Sequence, residues 1–205
     1  EMLMGDIAHY WWDIPIGPGE WDEMRLLRVV RENRLHRPIH TKKSLFALHC
    51  TPGHFEVMFL IGSVVAAVPE DHSLAIYLAE QDVDVWGIDQ PYTLVPEEVT
   101  DFSFMADWGL GFDADNLLTG MKVARFVRRF TGNGNDRMNL LGYSTGFMTG
   151  FAAANAETQL PPGQRQIGGF IPVDYWVKTQ DPVWLESECA YAAAMQEALE
   201  AGVYQ

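Results

Sequence analysis

Positive charge is scarce in this sequence. Lysine and arginine together number 14, against 28 aspartate and glutamate residues, so the formal net charge is −14. The basic residues form no cluster larger than Lys42-Lys43 and Arg128-Arg129. Because an acidic surface repels a phosphate backbone, we expect no nucleic-acid partner.

Long hydrophobic runs are also absent. The longest apolar stretches, such as residues 57–61 and 63–68, are too short or too interrupted to cross a bilayer, so no membrane span is predicted. No basic and then apolar leader opens the chain, and Glu1 in place of methionine suggests processing. We therefore expect a soluble protein, with its compartment open and a secreted or periplasmic location allowed. The 48% of hydrophobic residues is enough for a packed core.

Cysteine is nearly absent. Cys50 and Cys189 could form one disulfide, but their spacing matches no metal or redox motif. Two buried free thiols are the simpler expectation, since unpaired cysteine behaves as a small core residue. We predict no metal site and no cofactor.

What the sequence does contain is an alternation of short β-rich runs and helical patterns. This alternation predicts an α/β fold with a mostly parallel sheet and flanking helices. The expected strands cover residues 24–30, 45–50, 56–61, 83–88, 138–141 and 168–173. The expected helices cover residues 73–81, a segment from Asp113 or Asp115 to Phe130, residues 145–155 and residues 182–201.

Two aromatic segments have no regular pattern. Residues 1–22 are rich in aromatic residues and proline, and we expect them to form an irregular cover over the core. The loop of residues 89–111 is long for a compact domain, which indicates a functional loop or one that covers part of a pocket.

The motif that carries chemistry is Gly142-Tyr143-Ser144-Thr145-Gly146. It follows an apolar run and opens a segment of small residues, so Ser144 is predicted to be a nucleophile on a sharp turn from strand to helix. The two glycines fit this prediction, because side chains there would strike the sheet or the next turn. The alternative is that Ser144 is a plain helix N-cap.

No histidine follows this motif. All six lie before Ser144, at positions 9, 36, 40, 49, 54 and 72. A serine hydrolase needs an imidazole to take the hydroxyl proton, and with this kind of elbow the chain order is serine, acid, histidine. Either another polypeptide supplies the histidine, or the elbow has lost its chemistry.

Three segments in order resemble landmarks of the α/β-hydrolase superfamily. They are residues 59–63, residues 84–89 and the Ser144 motif, and the similarity covers roughly residues 24–180. The resemblance implies a hydrolase core over residues 23–180 and the start of a helical cap over residues 181–205. It also implies two further strands that would carry the acid and the histidine.

The resemblance further implies an oxyanion hole of two backbone N–H groups. By position these belong to Ser63 and Thr145, although Ile61 stands where the family commonly has histidine. A competing alignment uses His49-Cys50-Thr51-Pro52-Gly53, which is similar to the His-Gly-x-Pro-Gly turn of many members. We favour Gly62 as the turn, because about twenty residues then remain for one loop and one helix before the next strand. On this alignment His49 is a histidine beside the core.

For the acid, Asp174 lies just after a predicted strand, where some family members supply theirs. A loop aspartate bonded to nearby backbone is an equal alternative. Tyr143, Phe104, Trp108 and the Trp11-Trp12 pair offer apolar surfaces for substrate.

These observations lead to one functional hypothesis and two alternatives. The hypothesis is a serine hydrolase acting on an ester, lactone, thioester or amide of a small, largely hydrophobic substrate, through an acyl-enzyme on Ser144. A second polypeptide would complete the fold and supply the histidine. The alternatives are an acyltransferase on the same scaffold and a non-catalytic ligand-binding protein.

Overall fold

The fold is known from a computed structural model, which describes residues 1–174 and 180–203. Its strands are β1 (Ile7–Pro15), β2 (Glu23–Arg34), β3 (Arg37–Pro38), β4 (Ser44–Leu48), β5 (Asp84–Asp89), β6 (Met138–Tyr143) and β7 (Ile167–Val173). Its α-helices are α1 (Phe55–Phe59), α2 (Ile61–Val64), α3 (Leu74–Glu80), α4 (Pro91–Leu94), α5 (Leu110–Phe130), α6 (Thr145–Thr158) and α7 (Pro182–Glu200).

The strands form one sheet in the order β1-β2-β5-β4-β6-β7, and the short β3 pairs with β2. Strands β5, β4, β6 and β7 are parallel, whereas β2 runs antiparallel to both β1 and β5. The fold is thus the predicted α/β class. The carboxyl ends of β4, β5, β6 and β7 meet at one edge, where ligands bind in open α/β sheets.

Helices cover both faces of this sheet. On one face α5 and α6 pack over Phe46 and Trp86, and on the other α1 and α3 pack over Ala47 and Val85. Successive residues of a strand point to opposite faces, so the neighbouring residues of β4 and β5 are divided between the two cores. Because helices cover both faces, no side of β5 faces solvent, and all six of its residues are buried.

Two predicted elements are wrong. Residues 7–15 form a regular strand that pairs with β2 along its whole length, so the N-terminal segment belongs to the sheet. Residues 55–59 form helix α1 instead of the predicted third strand. Phe55 and Phe59 are four residues apart and both buried, and this spacing places them on one face of a helix.

Most of the remaining elements lie where the pattern predicted them. Strands β5, β6 and β7 and helices α3, α6 and α7 match within a few residues. Helix α5 ends at Phe130 as expected, but it begins at Leu110 after Gly109, so neither Asp113 nor Asp115 caps it. Asp181 caps α7, with its carboxylate accepting from two backbone N–H groups.

The two cysteines are free in the described residues. Cys50 is half-buried, but Cys189 is exposed on α7, so the expectation of two buried thiols is wrong for Cys189. Across residues 1–174 and 180–203, no helix is both long and apolar enough to span a membrane.

A buried ionic cluster joins β2, β5 and α5. The Asp84 carboxylate accepts from Nε and Nη2 of Arg28 at 2.8 and 2.9 Å and also from Arg128. All three side chains are at most 2% exposed. The Arg28 guanidinium lies 4.8 Å from the ring centroid of Trp86, and Arg128 also donates to two backbone carbonyls. The two buried guanidinium groups therefore share a single carboxylate as their counter-charge.

We predict that Asp84→Asn destabilises the fold by about 3–5 kcal/mol, because it leaves two buried cations without their counter-charge. The matched control is Asp13→Asn, which removes a half-exposed partner of Arg25 and should cost less than about 1 kcal/mol. Urea unfolding of both variants measures the difference. Equal losses would contradict the role given to Asp84.

Candidate active site

Ser144 occupies a sharp turn between β6 and α6. Its backbone dihedrals are φ 52° and ψ −121°, a conformation that residues other than glycine rarely adopt. The turn is fixed on both sides, since the Ser144 N–H donates to the Val173 carbonyl and its own carbonyl accepts from Phe147, each at 2.9 Å. Such strain in a non-glycine residue is typical of functional sites.

The two glycines of the motif permit this turn. A Cβ at Gly142 would lie 2.7 Å from the carbonyl oxygen of Gly146. A Cβ at Gly146 would lie 2.4 Å from the carbonyl oxygen of His49 and 2.7 Å from that of Leu48. The start of α6 therefore packs directly on the backbone at the end of β4.

This contact decides which loop lies beside Ser144. The backbone N–H of Thr51 donates to Thr145 Oγ1 at 2.7 Å, so the 49–53 turn faces the elbow. Ser63 lies on α2, and its backbone N–H is already bonded to the Leu60 carbonyl at 2.8 Å. The assignment of an oxyanion N–H to Ser63 is thus wrong, and it fails because α1 occupies the segment predicted as a strand.

His49 lies between this turn and the end of β5. Its ring is buried, with Nδ1 2.8 Å from the Cys50 carbonyl oxygen and Nε2 3.6 Å from Asp89 Oδ1. Asp89 also accepts the backbone N–H of Phe55 at 2.7 Å, at the start of α1. Burial lowers the pKa of His49, so the ring is neutral at neutral pH.

No histidine in the described residues is hydrogen-bonded to Ser144. All six lie within the described residues, and none has a ring nitrogen hydrogen-bonded to the Ser144 hydroxyl. His9 lies on the edge strand β1, and His40 contacts Gly132 beyond the end of α5. In residues 1–174 and 180–203, no group of three or more His, Cys, Asp or Glu side chains could hold a metal ion.

A small polar cavity of about 160 Å³ opens beside the elbow. Its walls include Thr51, Thr145, His49, Tyr92 and Asp113. The Tyr92 hydroxyl lies 3.1 Å from Thr51 Oγ1, and burial raises the Tyr92 pKa to about 12, so the phenol is neutral. Burial raises the pKa of the Asp113 carboxyl to about 6. Sequence reasoning missed Asp113 as a site residue, because it considered this residue only as a possible start of a helix.

An apolar groove of about 480 Å³ adjoins this cavity, with Tyr92 in the wall of both. Its other walls come from the 89–111 loop, including Phe102 and Trp108, and from Met195 and Leu199 of α7. The prediction that this loop covers part of a pocket agrees with the structure.

The expected substrate-binding aromatics divide into two groups. Trp108 lines the groove, and Phe104 packs against its edge at 5.4 Å between ring centroids. Tyr143 packs into the core on the α1 side of the sheet, and Trp12 stacks on Trp86 at 5.9 Å. Neither Tyr143 nor Trp12 lines the polar cavity or the groove.

Asp174 is exposed at the end of β7, beside the strand that carries Ser144. Its φ of 58° is another left-handed conformation in a residue other than glycine. The residues that follow it, 175–179, lie outside the described part of the chain. Asp174 therefore remains a candidate for the acid by position alone.

We predict that Gly146→Ala destabilises the protein by about 1–3 kcal/mol, because the new methyl group must displace the backbone at Leu48 and His49. The control is Gly163→Ala, where a Cβ meets no atom within 4 Å and the change should stay within about 0.5 kcal/mol. Thermal or urea unfolding distinguishes the two variants. A well-tolerated Gly146→Ala would show that α6 does not pack on this turn.

Comparison with known proteins identifies the fold. No family model and no curated protein matches the chain. Among solved structures it is similar to a Sulfolobus solfataricus protein provisionally described as a lipase, with a TM-score of 0.62 and 22% identity over 86% of this chain. It is also similar to a cold-adapted esterase from an Arctic intertidal metagenomic library (TM-score 0.53, 12% identity, 84% of this chain). A third similar structure is vibralactone cyclase (TM-score 0.52, 18% identity, 83% of this chain).

The alignments cover 49%, 62% and 43% of those three chains, so this chain spans about half the length of the proteins that it resembles. At identities of 12–22%, the similarity concerns the path of the backbone. Together with the strand order and the elbow at Ser144, it shows that the chain has an α/β-hydrolase-like fold, incomplete within these residues.

Proposed function

We propose that this protein is a serine hydrolase in which Ser144 attacks the carbonyl of an ester, lactone, thioester or amide. The observation that carries the proposal is the backbone of Ser144, held at φ 52° between a strand and a helix beside a cavity. The lipase-like and esterase structures named above, which share this fold, support a hydrolase acting on esters.

In the proposed reaction, Ser144 Oγ forms a bond to the carbonyl carbon while a histidine takes the hydroxyl proton. The histidine then gives that proton to the leaving group, and water hydrolyses the acyl-enzyme by the reverse exchange. The backbone N–H groups of Thr51 and Thr145 stabilise the oxyanion. The oxyanion replaces Thr145 Oγ1 as the acceptor for the Thr51 N–H.

The histidine belongs, in this proposal, to a second polypeptide. None of the six histidines is hydrogen-bonded to the Ser144 hydroxyl, and β7 is a sheet edge with no strand beyond it in the described residues. Ile171 of β7 is 44% exposed, and an exposed apolar edge strand invites pairing. A partner strand paired with β7 could bring its side chains to the carboxyl ends of the parallel strands, where Ser144 lies. Asp174 is the proposed acid.

Two other functions remain as alternatives on the same scaffold. An acyltransferase would use the apolar groove to keep water from the acyl-enzyme, so that an alcohol or amine accepts the acyl group. A non-catalytic binding protein would keep the elbow without an imidazole beside it. This alternative is favoured because none of the six histidines, all of them described, is hydrogen-bonded to Ser144. Covalent labelling distinguishes this second alternative from both enzymes.

We predict that a fluorophosphonate labels Ser144 once in the protein assembled with its histidine-bearing partner. Ser144→Ala should abolish labelling and reduce turnover by up to about a millionfold, as when a triad acts as a unit. Ser63→Ala is the matched control and should keep both, because Ser63 lies on α2 and its hydroxyl bonds the Leu60 carbonyl. Intact-mass spectrometry and peptide mapping read the result. An unlabelled Ser144 in the assembly would favour the binding protein.

We predict faster turnover of neutral, apolar substrates than of small anionic ones. The groove offers apolar area at roughly 25 cal/mol per Å² removed from water, and its walls include no lysine or arginine among the described residues. The measurement is kcat/KM over esters, lactones and amides of graded chain length and charge. Trp108→Ala should weaken the dependence on chain length, whereas Trp11→Ala on β1 should not. A preference for small anions would refute the proposed pocket.

A further inference from the structure

Asp113 presents a carboxyl group to the polar cavity without a partner for it. The residue lies in the first turn of α5, and its backbone is fully engaged: its N–H donates to Gly109 at 2.9 Å and its carbonyl accepts from Gln90 at 3.1 Å. Among the described residues, none donates a hydrogen bond to its carboxylate. Partial burial is the cause that raises its pKa, and no basic side chain in the described part of the chain offsets that cost.

The polar groups around this carboxyl are committed elsewhere. The Gln90 side chain donates to the backbone of Asp113 and accepts from Asn116 at 3.4 Å. The Tyr92 hydroxyl is paired with Thr51. An acidic residue in a first helical turn favours the helix dipole, but that effect requires neither burial nor a cavity. The carboxyl is half-buried and is not among the fully buried polar atoms that lack a partner, so it is free to bind a donor that enters the cavity.

We propose that the cavity is a subsite for a short substrate group that ends in a hydroxyl or an ammonium, bound by the Asp113 carboxylate. Such a group supplies a donor that the described residues do not, and a charge-assisted hydrogen bond compensates for the partial burial of the carboxylate. A carboxylate in the same place would face a like charge and is rejected. The link between this subsite and the scissile carbonyl rests on the proposed function, because Thr145 lines the cavity directly after Ser144.

The size of the cavity limits this group. Its volume is about 160 Å³, and a cavity of about 150 Å³ in another protein accommodates benzene, so up to about six heavy atoms fit. The larger apolar part of a substrate would lie in the groove beyond Tyr92. The substrate class is thus an ester or amide with an apolar arm and a short arm that carries a donor.

Three probes of equal length test the subsite: propylammonium, 1-propanol and propionate, titrated at pH 8 and 150 mM salt and followed by NMR chemical shifts. We expect propylammonium to bind most tightly and propionate at least about fivefold more weakly, as expected for a charge-assisted hydrogen bond. Asp113→Asn should lower the propylammonium affinity about fivefold. Asp115→Asn is the control on the same helix, since Asp115 lines a different surface groove, and it should change the affinity less than about twofold.

The result is independent of the chemistry at Ser144. The titration is repeated with Ser144→Ala, which should keep the same order of probes even if the serine proves unreactive. The order of the three probe affinities is measured in the unmodified protein, so it tests the proposal even if a variant fails to fold. Equal binding of the three probes, no binding, or an affinity unchanged by Asp113→Asn would overturn the proposal.

Discussion

The candidate site depends on one close contact, in which the first turn of α6 packs on the backbone that leaves β4. Gly146 makes this contact possible, because any side chain there would overlap the carbonyl oxygens of Leu48 and His49. The contact places Thr145 beside Thr51 and leaves room for the cavity. The strained backbone of Ser144 is held by the same packing, since the chain must turn within one residue to meet it.

The two charged centres of the molecule have different roles. Asp84 lies in the interior with two arginines, and its carboxylate is paired with both in a cluster that ties two strands to a helix. Asp113 lies at the cavity, where it is half-buried and has no counter-charge among the described residues. Fully buried carboxylates are normally paired, as Asp84 is, whereas the Asp113 carboxyl is left free to bind a ligand. This contrast is the reason for assigning a ligand to Asp113.

Much of the fold could be predicted from local sequence patterns. The buried run at β5 and the helical spacing along α5 depend on neighbours in the chain, and both were predicted correctly apart from the start of α5. The segment 56–61 was predicted wrongly because a short apolar run fits a buried strand as well as a helix with one buried face. Strand β1 was missed because the prolines and aromatic residues of residues 1–22 indicated an irregular cover.

The site was harder to predict, because it depends on contacts between distant segments. The elbow at Ser144 is a local motif and its backbone was predicted correctly, whereas Thr51 follows from the packing of α6 on β4, 94 residues away along the chain. The error at α1 moved the oxyanion assignment to Ser63. Asp113 carries no motif, and only the fold shows that it faces the cavity.

The central claim is that the N–H groups of Thr51 and Thr145 point at an oxyanion formed on Ser144. The most direct measurement is a crystal structure of the assembled protein after reaction with a phosphonate, which carries an oxygen where the oxyanion would lie. The account predicts an adduct on Ser144 Oγ with one phosphoryl oxygen about 2.7–3.1 Å from both backbone nitrogens, and with Thr145 Oγ1 displaced from the Thr51 N–H. An adduct whose oxygens reach neither nitrogen would contradict it.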